Sequence, residues 1–233
     1  MMKMIFKIFA SLFALGTSSL YAQSTPLGWI ETQPFQDEKQ QDCRRNSDLS
    51  WVAETKGQDL IIRSAAQSSV EIPTVLATHI EKLKLTLPER NPSPVNSQSA
   101  RALLELPTGW LVGFDLGEWG GSLWWFDLNG EATKLSDNNT HQFIQFENSI
   151  YAAQGLAHLS LDRGSLIIFT LDSSDVPQIT NTIETPSSLE AISLWNTKIV
   201  GASFLGPVII TRNGVVRYDG SDQVRRRHIN YPR

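Results

Sequence analysis

The sequence predicts an all-β protein, built as a small or degenerate β-propeller of repeated antiparallel units, with a β-sandwich as the alternative. Three observations carry that expectation. Beyond residue 50, strand-length apolar runs alternate with Gly, Asn and Asp clusters, the pattern of short strands joined by turns. Three segments share one order of features: a polar turn, an apolar strand, a Gly-containing connection and a second apolar strand. They begin near Gly109, Asn148 and Asn196, at offsets of 39 and 48 residues. Units of roughly 40–50 residues holding several strands are what propeller blades show. Finally, four of the seven tryptophans fall between Trp110 and Trp125, as expected where stacked units pack against each other through large apolar residues.

The chain opens with Lys3 and Lys7, the apolar run Ile8-Phe9-Ala10-Ser11-Leu12-Phe13-Ala14-Leu15 and the small polar Gly16-Thr17-Ser18-Ser19. This is the layout of a secretory signal peptide over residues 1–22, cleaved after Ala22. The apolar run is shorter than the roughly 20 residues a membrane span needs. The expected product, residues 23–233, is a single periplasmic or secreted domain of 211 residues. Loss of Lys3 and Lys7 leaves 18 basic against 24 acidic residues, a net charge of −6. That balance gives no footprint for nucleic acid. A monomer with an unidentified protein or small-molecule partner is expected. Cys43 is the single cysteine and can form no internal disulfide. Its neighbours Arg44 and Arg45 would lower the thiol pKa, whereas a polar loop cysteine without a role is the plainer account.

Along the chain, Ser50–Glu54 and Asp59–Arg63 read as a hairpin about Lys56-Gly57-Gln58, a fourth and looser copy of the unit starting at Trp51. The stretch Thr78–Leu85 admits a short helix, but the alternation in its second half favours a strand. Three prolines with Asn, Ser and Gln make 88–99 a solvated loop. Gly109–Phe114 and Ser122–Asp127 form an apolar pair around Asp115–Gly121. Asn129-Gly130 and Asn213-Gly214 each predict a type I′ hairpin, which needs positive φ at both central residues. Gly164, after Asp162-Arg163, is read as another turn. The run Arg225-Arg226-Arg227-His228 reads as a solvated tail or a charged edge strand, or as a contact for an anionic partner.

No motif specifies a reaction. The patterns GxxxxGK[ST], GxGxxG, HExxH and GxSxG are all missing, so no cofactor, no metal and no catalytic residue is expected. Ser160-Leu161-Asp162-Arg163-Gly164-Ser165 partly matches the Asp-box of sialidase-like propellers. It occurs once, and Ile167 stands where that box has an aromatic residue.

The candidate ligand-binding residues are Asp115, Glu118, Trp119, His141 and His158. Glycines at 117, 120 and 121 permit a tight path around Glu118-Trp119, and an indole face beside carboxylates suits a sugar ring or a cation. The alternative is that Trp119, Trp124 and Trp125 pack between units, Glu118 caps a loop and His158 is a satisfied buried histidine. Trp124 and Trp125 must point to opposite faces of one strand. The stretches 117–125 and 155–159 resemble uncharacterised exported bacterial proteins of propeller-like build, over roughly a quarter of the chain. That resemblance implies the fold and no activity. The expected function is non-enzymatic binding through one rim. The alternatives are a glycan or envelope-polymer hydrolase with Glu118 and Asp115 as acid and base, and an inhibitor or immunity-type protein.

Overall fold

After residue 100 most strands pair with their immediate successor, so the topology follows from turn chemistry. The computed structural model describes residues 29–31 and 49–220, except 57–58, 67–69, 90–91, 159–160, 186, 204–205 and 212–213. The expected signal peptide, Cys43, Asn213 and the basic run at 225–228 lie outside the described residues.

The strands are β1 (Trp29–Glu31), β2 (Leu49–Lys56), β3 (Asp59–Ala66), β4 (Ala100–Leu106), β5 (Gly109–Asp115), β6 (Gly121–Asp127), β7 (Ala132–Ser136), β8 (Thr140–Phe146), β9 (Ser149–His158), β10 (Leu161–Leu171), β11 (Pro177–Thr185), β12 (Leu189–Trp195), β13 (Lys198–Ser203), β14 (Gly206–Thr211) and β15 (Gly214–Gly220). One α-helix, α1 (Thr74–Thr86), is present among the described residues. It is not long and apolar enough to cross a membrane. All strand pairs are antiparallel. They form the meanders β4–β7, β8–β11 and β12–β15, with β1 added beside β15, and the separate hairpin β2–β3. Among the described residues no sheet closes on itself.

Both faces of the first two meanders are covered, which is why β5 and β6 read as unbroken apolar runs. On one face of β4–β7, Trp110, Val112, Phe114, Trp124 and Phe126 pack against Leu76 and Ile80 of α1. On the other, Leu111, Leu123 and Trp125 meet Ile150, Ala152, Ile167 and Phe169. The far face of β8–β11 places Ala153 and Leu166 against Leu189, Ile192, Ile199 and Val208. Trp124 and Trp125 therefore lie in different cores, as their adjacency requires.

Two-residue turns link the first strands of each meander. They lie between the paired residues Leu106 and Gly109, Phe146 and Ser149, and Trp195 and Lys198, so the steps from 106 to 146 and from 146 to 195 are 40 and 49 residues. At Asn196 and Thr197 the φ angles are 44° and 65°, the left-handed conformation a type I′ turn demands. A β-branched residue is strained there. Thr197→Gly is expected to stabilise the fold by about 0.5–1 kcal/mol, since relief of that strain outweighs glycine's added chain entropy. Thermal unfolding measures it.

The Asn129-Gly130 turn differs from the expected type I′. Only Gly130 has positive φ, at 88°. The turn runs from Asp127 to Glu131, closed by Gly130 N donating to Asp127 O and Asp127 N donating to Glu131 O. Asp127 Oδ1 accepts from the amides of Asn129 and Glu131 at 2.8 and 2.9 Å. Slight burial raises the Asp127 pKa, but those amides outweigh it and hold the carboxyl below its usual range. The same wiring recurs at Asp172–Val176, with Asp175 at φ 57°. The amides of Ser174 and Val176 lower the Asp172 carboxyl likewise.

Three further expectations are corrected. The strand favoured at 78–85 is the second part of α1. Leu76 and Ile80 are fully buried and Leu83 is packed beside them, at the i, i+4, i+7 spacing of a helix face. Pro73 precedes the helix, and Leu87 before Pro88 is extended, as a residue before proline prefers to be. The stretch 88–99 is not simply solvated. Val95 is buried against α1, and Asn96 accepts hydrogen bonds from Gln98 and Ser99 amides in a capping box. Gly164 is not in a turn. It sits inside β10, paired with Gly155 of β9.

The reason is a close crossing. The chain entering β12 passes over this glycine pair. A Cβ on Gly155 would fall 2.5 Å from Ser188 Cα, and one on Gly164 would fall 2.5 Å from Thr185 Oγ1 and 2.8 Å from Leu189 N. The chain entering β8 crosses Gly113 and Gly121 in the same way. A Cβ on either would press on Thr140 Cβ at 2.7 Å or Asn139 Cα at 2.5 Å.

Candidate functional site

The crossings, the β5–β6 loop and the end of β9 meet at one edge of the stack. Asp115 ends β5 opposite Gly121, and the chain between them forms a 3-10 turn over Gly117–Trp119. Gly117 at φ 58° and Gly120 at φ 109° supply the positive-φ path that side chains resist. Internal bonds close the loop: Leu116 N to Gly120 O, Trp119 N to Leu116 O and Gly120 N to Gly117 O. Two side chains brace it. Asp115 Oδ1 accepts from Gly117 N at 2.8 Å, and Asn139 Nδ2 donates to Gly117 O at 2.9 Å. Fixed this way, Trp119 keeps 55% of its surface exposed.

Strand β9 runs four residues past the Gln154–Thr140 pair that begins β8, which carries His158 to this loop. His158 Nε2 lies 2.6 Å from Glu118 Oε2, with the pair part exposed. Leu161 pairs with His158 across the β9–β10 hairpin, on the same face, and is also exposed. The Glu118–His158 pair thus has the exposed Leu161 across the hairpin from its imidazole, and the exposed Trp119 next to its carboxylate in the chain.

His141 occupies a bulge in β8, between the pairs Thr140–Gln154 and Gln142–Ala153. Bulges re-aim a side chain, and here the ring points across to two other sheets. Nδ1 lies 3.0 Å from Leu189 O, so it carries the proton and donates, because a carbonyl only accepts. Nδ1 is also 3.7 Å from Glu190 Oε2, and Nε2 is 3.6 Å from Asp115 Oδ2. Burial by itself lowers the pKa of this ring; Glu190, Asp115 and the Leu189 carbonyl outweigh it and raise the pKa above the usual histidine value. Next to it, Gln142 Oε1 accepts from Ile192 N at 2.9 Å. Asp162 Oδ1 accepts from Ser188 N at 2.7 Å. Burial raises the Asp162 carboxyl, its bonds to Ser188 and Ser187 oppose that, and Glu190 adds to the rise.

Four of the residues selected from the sequence therefore form two carboxylate–imidazole pairs, with the carboxylates on the β5–β6 connection and the histidines on β8 and β9. Asp115 faces His141, Glu118 meets His158, and Trp119 projects beside them. Glu118 does not cap the loop, and His158 is not sealed in a core. Trp124 and Trp125 pack internally and take no part. Sequence reasoning missed Glu190, Asp162, Asn139 and Leu161. Glu190 carried a usable signal: it is the bulge residue of β12, 49 residues after His141, just as His141 is 40 after Arg101, the bulge residue of β4. Among the described residues no group of three or more His, Cys, Asp or Glu side chains is arranged to hold a metal ion.

No protein-family model matches the chain, and no curated protein matches it in sequence.

Proposed function

We propose that the chain is an exported, non-enzymatic β-propeller-type protein that binds a partner or small ligand at the rim formed by Trp119, Glu118, His158 and Leu161. The observation that carries this reading is a tryptophan 55% exposed on a loop braced by Asp115 and Asn139. Leaving an indole about half in water forfeits burial worth roughly 1–2 kcal/mol, and the bracing fixes the backbone that carries it. Rigid, half-exposed aromatic side chains are the usual anchors of binding surfaces. The adjoining Glu118–His158 pair adds hydrogen-bonding capacity for a sugar hydroxyl or a cationic group.

The propeller reading draws support from the meanders themselves. Three of them stack face to face with a core in each gap, and the leading strands β4, β8, β12 and β2 make contact in succession. The N-terminal β1 completes the sheet of the C-terminal β15. A two-sheet sandwich accounts less well for three stacked sheets. The export reading rests on the N-terminal sequence, and mass spectrometry of the mature protein checks it: the expected N-terminus is Gln23, and an intact Met1 on the periplasmic form would refute it.

Binding is tested by passing fractionated cell-envelope extract over immobilised wild type and Trp119→Ala. At least one component is expected to be retained by the wild type and weakened tenfold or more by the variant, the size of an anchor-residue loss, with both proteins melting alike. Equal retention by the two proteins would sink the rim assignment. The hydrolase alternative draws less support, because Asp115 and Glu118 each face their own histidine.

A further inference from the structure

We propose that a proton on His141 clamps the loop bearing Glu118 and Trp119, so that the rim is held firm when His141 is charged and loosens when the proton leaves. The functional meaning of this switch rests on the rim reading above; its physical basis does not. Asp115 spans the two parts. Its Oδ2 faces His141 Nε2 at 3.6 Å, while its Oδ1 accepts from Gly117 N at 2.8 Å. One carboxylate thus connects the imidazole to the first residue of the 3-10 turn.

The ring cannot turn to evade a change at Nε2. Nδ1 is tied to the Leu189 carbonyl at 3.0 Å and faces Glu190 at 3.7 Å, so the Nδ1 proton stays and the Nε2 proton is the one lost. Nε2 then presents a lone pair to the Asp115 carboxylate, acceptor against acceptor. Asp115 relieves this by turning away, and the bond to Gly117 N weakens with it. The surrounding charges support the direction. Asp115 on β5 and Glu190 on β12 face the ring directly, and Glu190 also acts on Asp162 of β10. On β4, Arg101 donates to the Gln98 and Ala100 carbonyls. On β9, His158 is engaged by Glu118. The pKa of His141 is raised in this setting, so the charged form persists above the usual histidine range and the clamp releases on the alkaline side.

The experiment is nuclear magnetic resonance on the full-length protein from about pH 5.5 to about pH 9. It follows the His141 ring signal together with amide-exchange protection at Gly117, with Ala152 in β9 as the control for global opening. Protection at Gly117, relative to Ala152, is expected to fall tenfold or more across the His141 titration. In Asp115→Asn that step disappears, because a neutral amide can face either form of the ring. In Glu190→Gln the ring titrates at lower pH and the Gly117 step moves with it. Gly117 protection that stays level with Ala152 while His141 titrates would overturn the proposal, as would a step in Asp115→Asn equal to that of the wild type. No ligand enters these measurements. A failed clamp therefore leaves Trp119-dependent binding intact, and a failed rim leaves the Gly117 step intact.

Discussion

Gly164→Ala is expected to destabilise the protein by about 3 kcal/mol and to lower the melting temperature by about 10 °C. An alanine inside a strand ordinarily gains roughly 0.5–1 kcal/mol over glycine from reduced chain entropy. Here that gain is overwhelmed, because the added methyl would meet backbone at Leu189 and the Thr185 hydroxyl below 3 Å, and neither is a flexible tip that can step aside. Gly155→Ala is expected to behave alike through Ser188. The double variant should cost less than the two singles together, since both methyl groups press on one segment and a single displacement relieves both. Calorimetric unfolding of the three variants checks this. A Gly164→Ala melting temperature within about 2 °C of wild type would mean that the crossing is looser than described.

The second large effect is a pH-dependent stability loss centred on His141. Because the folded-state pKa is raised, the stabilisation is fully present below the unfolded value near 6.5 and is lost as pH rises through the folded value. Wild-type unfolding free energy should therefore decline on the alkaline side of about pH 6.5. His141→Gln removes the cation and leaves Asp115 and Glu190 facing an uncharged group, at a cost of about 3 kcal/mol near pH 6. That gap should narrow as the wild type itself loses the proton. Denaturant titrations of both proteins at several pH values measure it. Parallel stability curves across the whole range would show that His141 does not titrate between folded and unfolded states as expected.

Much of this architecture is legible locally. The apolar runs at 109–114 and 122–127 and the polar pairs at 147–148 and 196–197 specify hairpins through neighbours a few residues away. The glycines around Glu118-Trp119 similarly announce a tight loop, and the residues chosen with it do converge. What resists reading is whatever depends on a distant element. Thr78–Leu85 alternates like a strand, and only the apolar face of β4–β7, lying against Leu76 and Ile80, decides for a helix. Gly164 follows Asp-Arg as a turn glycine would, yet its reason is a chain segment more than twenty residues later. Glu190 sits between Leu189 and Ala191 like any solvent-facing strand residue. Its partner is chosen by a bulge in another sheet.

The pairing of β1 with β15 brings Trp29 opposite Gly220, joining residues 191 positions apart. Hairpins and meanders can form as soon as their own residues are available, but this ladder cannot. Its loop closure is therefore expected to be among the slowest steps, after the three meanders have formed. Until that ladder forms, β15 has an unpaired edge open to association with another chain.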